Sequence, residues 1–553
     1  MTATEPPASP KLPALDRRSL LKAGLLGSGL LAAPLSASQP GRGFTHGVAS
    51  GEPGPDRVLL WTRFQADQDT PLKFEVSDSV DFTRKIAGGS IAARAENDWC
   101  CKTFAKGLEP AQSYYFRFIA PDGSISDIGR TRTLPEGPAD RFRMAVFSCA
   151  NIGFGWFNAY AHAAADGNFD CVLHLGDYFY EYAPGTYPST DETVSGRSVW
   201  PSHELVALAD YRERYAAYRQ DPDLRRLHQL FPMIAVWDDH ESANDSWEGG
   251  AENHQPDSEG EWSVRKAAAM KAYREWMPVS DEPWAEYEVG DLATLYRLET
   301  RLTARAKQFS LGDVLRGGSS PEEAKAALIA FRDGDYRDPA RELLGSAQQG
   351  WLAEGFSRSK AAGKTWQVLV QQVLMGNLIS SPSLAAALPK DAPDYIRQRV
   401  LAGAMAGAEG VPFSMDAWDG YPAARRRVFE AALSADANLI SLAGDTHNAW
   451  AFDLDLEGTP VGVEFGGQSV TSPGFEGYLP QVPPDVLARD AVATNAQLQW
   501  MDSSRRGYMA VELTPGSATS EYRFLGSVRE KGAGVVATKR MTTLAGSRKL
   551  DMG

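Results

Sequence analysis

Positive charge is in short supply in this chain: 56 lysines and arginines face 71 aspartates and glutamates, a net charge of −15. A nucleic-acid binder normally presents a basic surface, so no nucleic-acid partner is expected. Cysteine is scarcer. Four residues in 553, Cys100, Cys101, Cys149 and Cys171, cannot make a disulfide framework at this length. Adjacent Cys100 and Cys101 would bridge only through a strained peptide, and Cys171, inside an apolar run, reads as a small core residue. No GxSxG elbow, Walker loop or HExxH occurs, which removes several ordinary hydrolase classes. With only eight histidines, a dimetal site held mainly by imidazoles is hard to assemble. No apolar run is long enough to anchor the chain stably in a membrane.

What is present can build sizeable cores. Hydrophobic residues make up 43% and aromatics 10%, and the length implies two or more domains. Asp16-Arg17-Arg18-Ser19-Leu20-Leu21-Lys22 leads into the short apolar stretch Ala23–Pro34 and then Ser36-Ala37-Ser38. This pattern is a twin-arginine export signal. Residues 1–37 are therefore expected to be removed, the translocation machinery of that pathway to be a partner, and the mature protein to be periplasmic or secreted.

Residues 44–135 read as a β-sandwich domain. Short β-prone runs at 58–62, 73–76, 113–120 and 129–133 are separated by Gly, Pro and Asp turns, and Leu108-Glu109-Pro110 before Tyr114 has the spacing of a tyrosine corner. Residues 140–528 alternate strand-like and helix-like segments, among them a long helical region at 204–230, which predicts an α/β catalytic domain with helices on the faces of a mixed sheet. Residues 529–553 are polar and weakly periodic, and are expected to form a tail or a lid.

Three apolar runs end in chemistry. VLHLGDYFYEY (172–182) breaks at Gly176 and delivers Asp177; MIAVWDDHE (233–241) delivers Asp238, Asp239 and His240; LISLAGDTHN (439–448) delivers Asp445 and His447. Carboxyl ends of buried parallel strands are where α/β proteins bind ligands. Asp177 is placed to bridge two cations, and Tyr180, three residues on, can point the same way and suits a hard trivalent ion such as ferric iron. Cys149 ends a fourth such strand, where a thiolate can bind a metal. Asp239 is the preferred ligand of its cluster; His240 can ligate, orient or act as an acid, and Asn244 can meet a metal or a phosphoryl oxygen. Packing so many like charges requires cations or solvent. Iron beside calcium fits these ligands better than a pair of imidazole-bound metals. The economical chemistry is a metal-activated hydroxide or oxide attacking phosphorus. Arg301 could assist it, although a surface or structural arginine is the commoner reading.

Taken together, the blocks at 44–53, 60–63, 147–150, 175–178, 237–241 with Asn244, 418–422 and 444–447 resemble the PhoD-like alkaline phosphatase and phosphodiesterase family over nearly the whole chain. The resemblance implies a metallophosphatase-like α/β sandwich behind a fibronectin type III-like β-sandwich, and a hydrolase of phosphate monoesters and diesters with Fe3+ and Ca2+ as cofactors. It would have Cys149 and Tyr180 hold iron and Asp177 bridge to calcium, with Asp239, Asn244, Asp445 and His447 completing the shell and Asp177, Asn244 and His240 taking part in catalysis. It departs at Glu299-Thr300-Arg301, where the family often has Asp-Thr-Arg. Phosphate scavenging from small esters is the expected role. A phospholipase D-type diesterase acting on phospholipid headgroups is the alternative, and a non-catalytic cell-surface binding protein is a more distant one.

Overall fold

The strands Phe142–Phe147, Cys171–His174 and Pro232–Ala235 are short, apolar and almost wholly buried, the signature of parallel strands covered on both faces. They lie side by side in parallel register, with Met144 opposite Cys171 and Met233 opposite Val172. A computed structural model of the chain describes residues 42–316, 320–388 and 394–552. The leader assigned to residues 1–37 lies outside the described residues.

The described residues form three sheets. The largest has ten strands and holds the three above at its centre. A seven-stranded sheet is built around Ala293–Arg297, Trp366–Val370 and Leu439–Ala443, again parallel. The two sheets face each other across a shared core, in which Met144, Val146 and Leu173 of the first meet Leu295, Val368, Ile440 and Val463 of the second. Helices cover the outer faces. Asn158–Asp166, Leu208–Tyr218, Pro222–Leu230 and Trp262–Trp276 pack on the first sheet. Gly345–Ala361 and Pro422–Ser434 pack on the second. The expected α/β sandwich is the observed one.

The helical region at 204–230 is two helices. Pro222 has no N–H to continue the first, and the Asp221 carboxylate caps the second by accepting from the N–H groups of Asp223 and Leu224. Residues 44–135 supply strands to two sheets. Lys85–Ala93, Thr70–Ser77, Ser113–Ile119 and Gly129–Arg132 make the four-stranded sheet, while Gly43–Gly51, Arg57–Gln65 and Cys100–Lys106 extend the ten-stranded one. The junction is Gly43–Gly51, which runs parallel to Pro232–Ala235 with Gly51 opposite Met233. A Cβ at Gly51 would stand 2.0 Å from the Pro278 carbonyl oxygen, so only glycine lets the chain through. Val48, Val58 and Leu60 then pack on Phe74, Phe116 and Phe118 of the smaller sheet.

The Tyr114 hydroxyl accepts from the Glu109 N–H at 2.8 Å, closing the corner that the spacing predicts. Tyr114→Phe should leave that N–H without its partner and cost about 1 kcal/mol, readable as a lower midpoint in denaturant unfolding. The carboxyl-terminal residues hold a strand rather than only a tail or lid. Val535–Leu544 pairs antiparallel with Ser517–Leu525, and because it buries only Met541 and Thr543 no clear apolar alternation announces it. No helix of the described residues is long and apolar enough to cross a membrane.

Candidate metal centre

Adjacent strand ends bring the acidic and sulfur groups to one place. Cys149 follows Phe142–Phe147, Asp177 follows Cys171–His174, and Asp238, Asp239 and His240 follow Pro232–Ala235; Asp445 and His447 arrive from Leu439–Ala443 in the facing sheet. The backbone turns sharply at each. Cys149 (φ 59°), Asp177 (φ 52°), Asp445 (φ 64°) and His447 (φ 65°) all adopt left-handed conformations, which are uncommon without glycine and cluster at functional sites. Gly176 lets the loops approach, since a Cβ there would lie 2.3 Å from the Asp238 Cβ.

The side chains form three overlapping groups whose potential ligand atoms all lie within 4.8 Å of one another: Cys149, Asp177 and His447; Asp177, Asp239 and His240; Asp238, Asp239 and Asp445. Asp177 and Asp239 each belong to two groups. Each is placed as a bridging carboxylate would be.

Proton counting at the first group reveals a surplus of acceptors. Nδ1 of His447 lies 2.7 Å from the Pro473 carbonyl and must donate to it, so Nε2 keeps a lone pair. That lone pair faces the Tyr180 hydroxyl at 3.0 Å, and Asp177 Oδ2 faces the same hydroxyl at 3.0 Å. With Asp177 ionised, as a metal ligand must be, the hydroxyl has one proton for two acceptors, and it also accepts from Ser472 Oγ at 2.8 Å. Asp177 Oδ1 and Asp238 Oδ2 are buried without a partner among the described residues. Burial holds His447 neutral, its pKa lowered to about 3. A thiol, a phenol, an imidazole lone pair and carboxylate oxygens with too few protons between them form a donor set that fits cations.

Charge deepens the surplus. Arg301, fully buried, donates from Nε to Asp238 at 2.5 Å, from Nη1 to both oxygens of Asp416 and from Nη2 to Asp445 at 3.3 Å. Arg305 also pairs with Asp416. These two guanidiniums are still outnumbered by the carboxylates of Asp177, Asp238, Asp239, Asp245, Asp416 and Asp445. In the metal-free chain burial raises the Asp177 and Asp445 carboxyls well above their usual range, Asp238 to about 6, Asp245 to about 7 and Glu241 to about 8. Asp239 moves the other way: Arg301, His240 and the Asp245 N–H outweigh its burial.

A second device holds His240. Its Nδ1 lies 2.7 Å from the buried Glu181 Oε2, while Glu181 Oε1 accepts from the Asn244 N–H at 2.8 Å and Asn253 Nδ2 at 2.7 Å. The imidazole also packs at a tilt against Tyr180, centroids 4.1 Å apart. Burial opposes charge on both partners, yet His240 is held well above its ordinary pKa by Asp239, Asp177 and Glu181, and Glu181 below its own by His240 and its donors. With Nδ1 engaged, Nε2 is the nitrogen left for the carboxylates.

These shifts set how the stability of the metal-free protein depends on pH. Carboxyls with raised folded-state pKa values bind more protons in the folded than in the unfolded chain, so folding stability falls as pH rises through their titration range. After chelation, the thermal midpoint should therefore drop between about pH 5 and 8, and added divalent cation should reverse the drop. A midpoint that rises over this range would contradict the carboxylate count.

Six of the seven expected ligands, Cys149, Asp177, Tyr180, Asp239, Asp445 and His447, meet here. Asn244 is half-buried and its Nδ2 donates to Glu252 at 3.2 Å, although its backbone helps hold Glu181. Arg301 is no surface arginine; its donors are engaged by carboxylates, which leaves it a counter-charge inside the site. Glu299 caps its own loop, accepting from Trp237 Nε1 and from the N–H groups of Arg301, Leu302 and Thr303. Sequence reasoning missed Asp416, Glu181 and Ser472. Asp416, two residues before the Trp418 block, was the one with a signal nearby.

Comparison with known proteins places the chain among relatives of matching length. A sequence model described as "PhoD-like phosphatase" matches residues 144–522, and one described as "PhoD-like phosphatase, N-terminal domain" matches residues 30–135. Alkaline phosphatase D of Bacillus subtilis (strain 168) is 33% identical over 530 residues, covering 91% of this chain and 81% of that protein. The solved structure of PhoD superposes with a TM-score of 0.74 at 30% identity, covering 94% of this chain and 93% of that one.

Proposed function

The chain belongs to the PhoD-like phosphatase family and is a phosphoric ester hydrolase, and from that premise we propose an exported enzyme that releases phosphate from monoesters and diesters at an iron–calcium centre. The observation that carries the metal reading is the single phenolic proton of Tyr180 shared between Asp177 and His447. Cys149, Tyr180, His447 and Asp177 would hold ferric iron, a donor set of one thiolate, one phenolate, one imidazole and one carboxylate. Asp239, Asp238 and Asp445 offer only carboxylate oxygens, which suits calcium. Asp177 and Asp239 would bridge neighbouring cations. When bound, such cations supply Lewis acidity towards a phosphate oxygen and make water nucleophilic near neutral pH.

The chain's own residues do the positioning. Glu181 fixes the His240 ring and turns Nε2 towards the carboxylates, where it can give a proton to the leaving oxygen of the ester. Arg301 holds Asp238, Asp416 and Asp445 in place, its donors engaged by these carboxylates. Asn244, joined to Glu181 through its backbone, is the neighbouring amide for a phosphoryl oxygen.

Glu181→Gln keeps the shape but removes the charge behind His240. It should lower kcat by ~10–100-fold, as supporting residues of such sites do, with KM little changed. An unaltered kcat would remove His240 from the proton-transfer role.

Purified protein should be assayed for iron and calcium, and for turnover of a phosphomonoester, a phosphodiester and a phospholipid. The proposal predicts both metals, a visible tyrosinate–iron band lost in Tyr180→Phe, and turnover of the small esters. Absence of the band, or cleavage of the phospholipid alone, overturns the corresponding part. Export through the leader is tested by Arg17-Arg18→Lys-Lys, which should retain the precursor in the cytoplasm; undiminished export would refute it.

A further inference from the structure

Away from the metal centre, behind the junction strand Gly43–Gly51, the protein buries a cation with no counter-ion. Arg219 is fully buried at the carboxyl end of the helix Leu208–Tyr218; its Nε, Nη1 and Nη2 make no close hydrogen bond among the described residues, with the Tyr178 hydroxyl as a weak acceptor beside it. Its guanidinium lies over the Trp61 ring, 4.2 Å from the centroid. A cation–π contact compensates for part of the lost hydration but offers no acceptor to five N–H donors.

The surroundings hold further buried polar atoms without partners. The Tyr178 hydroxyl, the polar group that most stabilises the Arg219 charge, lies 2.8 Å from His228 Nε2, and His228 Nδ1 is buried and unpartnered. Both ring nitrogens of His46 are buried without a partner, as is the Tyr215 hydroxyl. His46 packs edge-on against Trp276, centroids 5.0 Å apart, and Trp276 adjoins Trp61 and stacks on Tyr215. His46 reaches this position through a left-handed backbone (φ 62°) at an irregularity in the pairing of Gly43–Gly51 with Arg57–Gln65. Such strain is retained where it aims a side chain.

The nearby carboxylates are taken. Asp98 is held by Arg63 at 2.9 Å and accepts from Trp276 Nε1; Glu275 is held by Arg212 and Lys271, each at 2.7 Å. Burial keeps the Cys100 thiol and the Tyr178 phenol protonated, so neither supplies a negative charge. His46 is itself held neutral by burial and by Arg63, Arg219 and Arg225. What Arg219 lacks is a negative charge: among the described residues no carboxylate pairs with it.

We propose that a small monovalent anion, chloride in ordinary salt, binds against Arg219 between Trp61, His46 and His228 and ties the amino-terminal strands to the helices beneath the catalytic sheet. One unit of positive charge calls for one unit of negative charge. The aromatic walls formed by Trp61, Trp276 and Tyr215 and the lack of exposure favour a weakly hydrated halide over a phosphate or sulfate.

The test uses the metal-loaded protein. Crystals grown in sodium bromide should show an anomalous bromine peak beside the Arg219 guanidinium. In solution the thermal midpoint should be higher in sodium chloride than in sodium gluconate of equal ionic strength, by ~2 °C or more at saturation, and Arg219→Gln should abolish the difference. The bromide peak on the unaltered chain decides the matter if that variant fails to fold. Density for water alone at Arg219, or identical midpoints in the two salts, overturns the proposal.

Discussion

Asp177→Asn should reduce phosphoester turnover by at least ~10³-fold, a loss of about 4 kcal/mol of transition-state stabilisation. The change is almost isosteric. The amide oxygen can still accept from Tyr180, so the loop should keep its shape. What disappears is the negative charge shared by two of the three ligand groups, and with it the residue that joins the sulfur- and phenol-bearing end of the site to the carboxylate end. Because burial already pushes the Asp177 carboxyl up in the metal-free chain, the variant should be no less stable than the parent once metal is chelated. That separates loss of chemistry from loss of fold. Steady-state kinetics on a phosphomonoester, with chelated unfolding curves alongside, read both. A variant that is inactive but also less stable after chelation would point to a structural role for Asp177.

Arg301→Met should be the most destabilising single change at the site, costing about 3–5 kcal/mol, the range for removing one partner of a buried charge pair. Its guanidinium is buried, its proton is held tightly by Asp238, Asp416, Asp239 and Asp445 against the effect of burial, and a methionine of similar length offers none of its donors. Arg305 would keep its contact with Asp416, but Asp238 would lose the one counter-charge contact it has among the described residues. Urea unfolding of metal-loaded protein measures the loss. Arg301→Lys should recover only part of it, because an ammonium cannot match a fork that binds three carboxylates. A cost below about 1 kcal/mol would mean that the carboxylates are balanced from elsewhere.

The parts of the site that were legible in the sequence share one cause. Asp177, Asp239, Asp445 and His447 stand where an apolar strand stops, and a buried strand followed at once by charge is a pattern that local composition reveals. Cys149 was legible by the same rule. Arg301 was legible only as an arginine that could assist and Asp416 not at all, because each sits in a loop whose polarity looks like ordinary surface; only the packing of two sheets shows that those loops face inward. Glu181 lies in the Tyr-rich run after Asp177, where nothing in the spacing separates a carboxylate that steadies His240 from one that faces water. The fold class followed from the alternation of strands and helices. That Gly43–Gly51 joins the catalytic sheet did not, since parallel pairing across more than 180 residues leaves no local mark.

The central claim is that Asp177 joins cations at a centre required for hydrolysis, and its most direct test is elemental analysis of the purified protein and of Asp177→Asn beside their turnover of a phosphomonoester. More than one metal ion per chain is expected, iron and calcium among them, with content and turnover falling together in the variant. A chain that carries no metal and still hydrolyses the ester, or an Asp177→Asn protein with undiminished turnover, would contradict it.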